Sequence, residues 1–165
     1  MAFEIPADLN PALVGLAWLR GRWEGTGYRE WPGQEKTSYA IQIDFADNGG
    51  DYLHYLSQSF ETDADGAPVR ALAMETGFWR PLADGTVDVM MTSPEGFAEI
   101  WFGRLSPGRI DLVTDAVART KEAAVAYTAG RRLYGLVEGR LLFSFDRATT
   151  EHALQPYVWA TLERR

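Results

Sequence analysis

Residues 37–45 read TSYAIQIDF, with Thr37, Tyr39, Ile41, Ile43 and Phe45 in one phase and Ser38, Ala40, Gln42 and Asp44 in the other. Such alternation marks a strand with one face buried and one face wet. Comparable segments follow along the chain, separated by the turn sequences DNGGD, DADGAP, ADGT, SPEG, SPGR and EG. The pattern predicts strands over 22–30, 37–45, 52–62, 70–80, 86–92, 97–105, 109–119, 123–137, 140–147 and 152–163. About ten short strands joined by hairpins are what an antiparallel up-and-down barrel needs, and closure removes every exposed sheet edge. The expected fold is therefore all-β, a lipocalin-like or fatty-acid-binding-protein-like barrel over residues 1–165. A sandwich is the runner-up. Aromatic residues, at 13% of the chain, suit half-buried pleated surfaces.

One stretch breaks the strand pattern. Asn10 can cap a short helix, Pro11 fits its first turn, and Leu13, Leu16, Ala17 and Leu19 return at helical spacing before Gly21. The opening residues have no basic start followed by an apolar run, so no signal peptide is expected, and no stretch is apolar enough for a membrane helix. A cytoplasmic location follows as the default.

Charge and cysteine content exclude several functions. The net charge of −7 argues against general nucleic-acid binding, which needs clustered cations to neutralise phosphates. The absence of cysteine removes disulfides, thiol catalysis and iron–sulfur clusters. No nucleophile triad, phosphate loop or paired carboxylates stand out, so the residues lean against an enzyme. A ten-stranded barrel does have room for a cavity, which points to a small, fairly apolar ligand.

Three local features bear on such a cavity. In GRWEGTG, Gly21, Trp23, Gly25 and Gly27 share a face; the glycines permit a sharp bend or a close backbone approach, and Trp23 would plug a barrel end. In METGFWRP, Glu75 is either a polar anchor in the cavity or the partner of an arginine at the rim. His54 alternates with Tyr52 and Leu56 and is expected to face inward; with His152 it makes no metal site by itself. In the closing strand, Tyr157, Trp159 and Thr161 fall on one face and Val158, Ala160 and Leu162 on the other.

The stretches GRWEGTG, METGFWRP, RRLYGLVEGRLLFSFD and LQPYVWATL together resemble the nitrobindin family, in the family's order and over nearly the whole chain. The resemblance implies a ten-stranded barrel carrying ferric heme b in an open cavity, binding nitric oxide and isomerising peroxynitrite to nitrate. It also implies an axial histidine on the last strand, in a Q-P-L-x-x-H-L-x-A-x-L setting. Here that position is Tyr157. A second family histidine, in P-L-H-x-E-x-G-Y, corresponds to Ala73 in ALAMETGF, and a family lysine, in A-K-x-x-T-A, to Val125 in AVAYTAG.

A phenol binds ferric iron as phenolate, and ionising a free tyrosine at neutral pH costs about 4 kcal/mol unless the iron or a cation offsets it. Arg131 and Arg132 are the candidate cations. The first reading is a family barrel that lacks histidine-ligated heme and takes a small apolar ligand, or none. The second is a ferric heme b protein with Tyr157 as axial phenolate, retaining peroxynitrite isomerase chemistry. The third is a non-enzymatic interaction module, such as a homodimer formed through strand faces or the rim.

Overall fold

Ten antiparallel strands close on themselves in a computed structural model that describes residues 5–165. The first four residues of the stretch read for a signal peptide lie outside the described part. The strands are β1 (Gly21–Arg29), β2 (Thr37–Ala46), β3 (Leu53–Thr62), β4 (Pro68–Pro81) and β5 (Thr86–Ser93). They continue as β6 (Phe97–Ser106), β7 (Arg109–Arg119), β8 (Tyr127–Val137), β9 (Arg140–Thr149) and β10 (Gln155–Arg164). Each strand pairs with its sequence neighbours and β10 pairs with β1, so the barrel has no edge strand. Among the described residues, no helix is long and apolar enough to cross a membrane.

The alternation expected for β2 is present, with Tyr39, Ile41, Ile43 and Phe45 buried. Two strands begin three or more residues later than the sequence pattern predicts. Residues 120–126 form a loop held by Ala124 N–H donating to Glu95 O and Ala123 N–H donating to Thr120 O, so β8 starts at Tyr127 instead of residue 123. A turn closed by Thr149 N–H donating to His152 O delays β10 to Gln155.

The helix forms over Pro11–Leu19, capped by Asn10, whose side chain accepts from Ala12 N–H. It is a 3-10 helix, in which every third residue eclipses. Leu13, Leu16 and Leu19 therefore make one row, and all three are fully buried. The row closes one barrel end over Trp23, Phe45, Leu53, Trp79, Tyr134 and Leu162. Trp23 Nε1 donates to Leu19 O at 2.8 Å, tying the plug to β1.

The glycines of β1 serve contact between backbones. A Cβ on Gly25 would lie 2.0 Å from Thr161 O, and one on Gly27 would lie 1.8 Å from Trp159 O. Only glycine lets β1 and β10 approach this closely.

At the far end the barrel opens. β7 pairs with β8 only from Arg109 to Val113, so Asp115–Arg119 and Tyr127–Ala129 diverge. Thr114 spans the start of this seam, its Oγ1 accepting from Gly130 N–H at 3.0 Å. β4 overhangs as well, since its pairing with β5 begins at Thr76.

Candidate functional site

The open end leads into a cavity whose empty space, with the open solvent at its mouth included, is about 830 Å³. Its wall combines apolar side chains, among them Ile41, Leu72, Phe97, Phe143 and Val158, with Glu75, Glu95, Glu99, Arg132 and Arg147. Glu95 lies in the turn between β5 and β6, whereas the other four of these charged residues sit in phase with inward aromatics: Glu75 with Trp79, Glu99 with Phe97 and Trp101, Arg132 with Tyr134, and Arg147 with Phe143 and Phe145. Strand alternation gives them no other direction to point.

The deepest of these groups form a network. Arg132 donates through Nη2 to Glu75 Oε2 at 2.7 Å and through Nη1 to Glu75 Oε1. Tyr55 O–H donates to Glu75 Oε1 at 2.7 Å, and Arg132 Nη1 reaches Tyr134 Oη at 3.4 Å. The Arg132 guanidinium also lies over the rings of Phe145 (4.3 Å) and Trp101 (4.9 Å). Burial pushes the Glu75 carboxyl up, but the Arg132 charge and the hydrogen bonds from Arg132 and Tyr55 outweigh it and hold the carboxyl below its ordinary value. Glu75 is thus a cavity residue, and its partner is a buried arginine inside the barrel, not one at the rim. Arg80, its neighbour in sequence, pairs with Asp88 on the outer surface.

Glu99 has no ion-pair partner among the described residues and is buried; desolvation raises its carboxyl above the ordinary range, against the pull of Arg132. Burial raises Glu95 too, opposed first by Arg147. Burial pushes the Tyr127 hydroxyl up as well.

The mouth is built around Tyr157. β10 carries a bulge between Pro156 and Val158, where its register against β9 shifts by one residue. Tyr157 is the extra residue. It consequently turns inward beside Val158, and both line the cavity. The expected shared face with Trp159 does not form, because the bulge falls between the two; Trp159 lies outside, near Tyr28 and beneath Lys36. Main-chain pairing with β1 continues past the bulge, as Glu30 N–H donates to Tyr157 O at 2.9 Å. The Tyr157 ring meets Phe145 and Trp31 edge-on, both at 5.7 Å.

The other candidate residues fall as follows. Ala73 lines the cavity opposite Ser59. Val125 does not; it sits in the loop before β8, packed against the core at the seam. Gly21, Trp23, Gly25 and Gly27 are likewise absent from the wall, Trp23 being sealed beneath the helix. His54 was expected to face inward, but it lies on the outer face, bonded to Thr76 Oγ1 at 2.8 Å and packed on Phe78. Its neighbours Leu53 and Tyr55 hold the inward phase. His152 does not line the cavity and meets Trp31 edge-on at 5.5 Å. The arginine at Tyr157 is Arg147: Arg131 is exposed and bound to Asp111, and Arg132 is bound to Glu75.

The profile of the THAP4-like, heme-binding beta-barrel domain matches residues 12–164. A ferric nitrobindin-like protein of Cutibacterium acnes is 57% identical, covering 99% of each chain. The chain belongs to the nitrobindin family. A relative from Nocardioides sp. named peroxynitrite isomerase is 42% identical over the full length of both chains. The crystal structure of Rv2717c from M. tuberculosis superposes with a TM-score of 0.83 at 29% identity, covering 95% of this chain and 99% of that one.

Heme is the group this nitrobindin fold implies, and the cavity wall tests it. Neither histidine lines the wall, and six charged side chains do, Arg29 among them. A histidine-ligated heme does not fit these residues. The ligand-capable group at the mouth is the phenol of Tyr157. Five buried polar atoms on cavity residues have no protein partner: Tyr39 Oη, Ser93 Oγ, Tyr127 Oη, Arg132 Nε and Arg147 Nε. Buried polar groups are normally paired, so this lining suits an occupant that carries polar atoms of its own.

Proposed function

We propose that this chain is a nitrobindin-family barrel that binds a small, largely apolar molecule in its cavity and has given up histidine-ligated heme. The carrying observation is that Tyr157 lines the cavity on the strand where the family resemblance implies an iron-binding histidine, while His54 and His152 both lie off the wall. Ala73 and Val125, standing where the resemblance implies a histidine and a lysine, agree with that loss. Titrating the purified protein with hemin tests the reading. Weak, non-saturating uptake without a defined ligated Soret band is expected; stoichiometric uptake with such a band overturns it.

A second reading has its own support. Tyr157 has no hydrogen bond to its hydroxyl among the described residues, and the Arg147 guanidinium stands 3.7 Å from its ring centroid. A phenolate-ligated ferric heme b, with the isomerase activity named for the Nocardioides relative, would use this tyrosine as its ligand. Tyr157→Phe would then abolish the phenolate charge-transfer band of the hemin-loaded protein; an unchanged spectrum removes this alternative.

A further inference from the structure

Two arginines are buried in the cavity wall, and they are provided for differently. Arg132 is 2% exposed and carries its own carboxylate, Glu75. Arg147 is 5% exposed and has no ion pair or hydrogen bond from its guanidinium among the described residues. Its charge rests on rings instead: the guanidinium carbon lies 3.7 Å from the Tyr157 centroid and 4.4 Å from that of Trp31. Rings offset part of the lost hydration of a cation but accept none of its N–H groups. Glu95 is near enough to feel Arg147 yet makes no ion pair with it.

We infer that Arg147 is an anion-binding subsite, and that the cavity takes a small monocarboxylate whose carboxylate is held by Arg147 at the mouth and whose apolar body lies against Phe143, Phe145 and Val158. A planar fork with free N–H groups matches a carboxylate in a bidentate manner. Arg29, also on the wall at the mouth, adds positive charge. Ser93 Oγ, buried, unpartnered and on the same wall, supplies a further hydrogen bond for an occupant. The inner end provides no second anion site, since Glu75 already occupies Arg132. This ligand class rests on the reading of the cavity as a small-molecule site.

The test compares 4-phenylbutyrate with 4-phenylbutanol by calorimetry on the full chain. The acid is expected to bind at least about tenfold tighter, the low end for a hydrogen bond to a charged group. Arg147→Met should erase that preference. Equal affinities in the unmodified protein, no binding of the acid, or a preference that survives Arg147→Met each overturn the inference. If Arg147→Met does not fold, the assigned Arg147 Nε–H signal in a nitrogen-15 spectrum decides. A shift with the acid and none with the alcohol supports the subsite; no shift with the acid overturns it. Hemin uptake is scored separately, so tight hemin binding with retained acid preference would sink the heme-loss reading and leave the subsite standing.

Discussion

Arg132 grips Glu75 across 57 residues of chain, joining β8 to β4 through the barrel interior. The Arg132 side chain is 2% exposed, whereas Glu75 keeps 20% of its side chain accessible through the cavity. Arg132→Met leaves a buried carboxylate with Tyr55 as its only donor. Breaking a buried pair from one side costs about 3–5 kcal/mol, and the partial access of Glu75 places this case near the lower end. Urea denaturation should show that loss, and the double change Glu75→Leu with Arg132→Met should restore most of it. A double variant no more stable than Arg132→Met would refute the pairing as the source.

The β1–β10 contact makes a sharp pair of glycine predictions. Gly27→Ala places a methyl within 1.8 Å of Trp159 O, so the strands must separate. The expected loss is about 1–3 kcal/mol or more. Gly135→Ala meets nothing within 4 Å and should stay within about 0.5 kcal/mol of the parent. Thermal melts of the two variants side by side check the contrast.

Glu99 gives stability a pH dependence. Its folded carboxyl is raised above the ordinary 4.5 by burial, so in the window above 4.5 the unfolded chain releases this proton before the folded one does. The folded state then holds more protons, and the Glu99 contribution to stability falls as pH rises through that window. Glu99→Gln should therefore gain stability relative to the parent between pH 4 and pH 7, measured as the difference in denaturation midpoints. A difference that is flat, or that shrinks with rising pH, contradicts the assignment.

The helical plug should be costly to hollow. Leu16 is fully buried in the middle of the row formed with Leu13 and Leu19. Leu16→Ala should cost about 2–5 kcal/mol. The cavity lies at the opposite end, so any affinity for 4-phenylbutyrate should be unchanged at temperatures where the variant stays folded. Calorimetry alongside a melt separates the two effects.

The barrel was legible because period-2 alternation and turn chemistry are local properties. β2 shows this in full, since Tyr39, Ile41, Ile43 and Phe45 reach the interior as their phase dictates. Tyr157 defeated the same logic, because a bulge inserts one residue and reverses phase beyond it, and nothing in QPYVW marks where register slips. His54 could have been placed by giving priority to Leu53 and Tyr55, which hold the buried phase of β3. Arg147 and Glu99 had a usable signal: each is a charge in the inward phase of a strand otherwise built from aromatics, which is costly unless the charge has a task or a partner. Which of them finds a partner depends on strands distant in sequence, as Glu75 and Arg132 show.

The seam between β7 and β8 separates two properties that a closed barrel would couple. Beyond Val113 and Arg131 no ladder joins these strands, so parting them further breaks few backbone bonds. Backbone amides of Asp115–Arg119 are therefore expected to exchange with solvent ahead of those in the fully paired part of the barrel, so that loosening can be local here while the rest of the ladder stays intact.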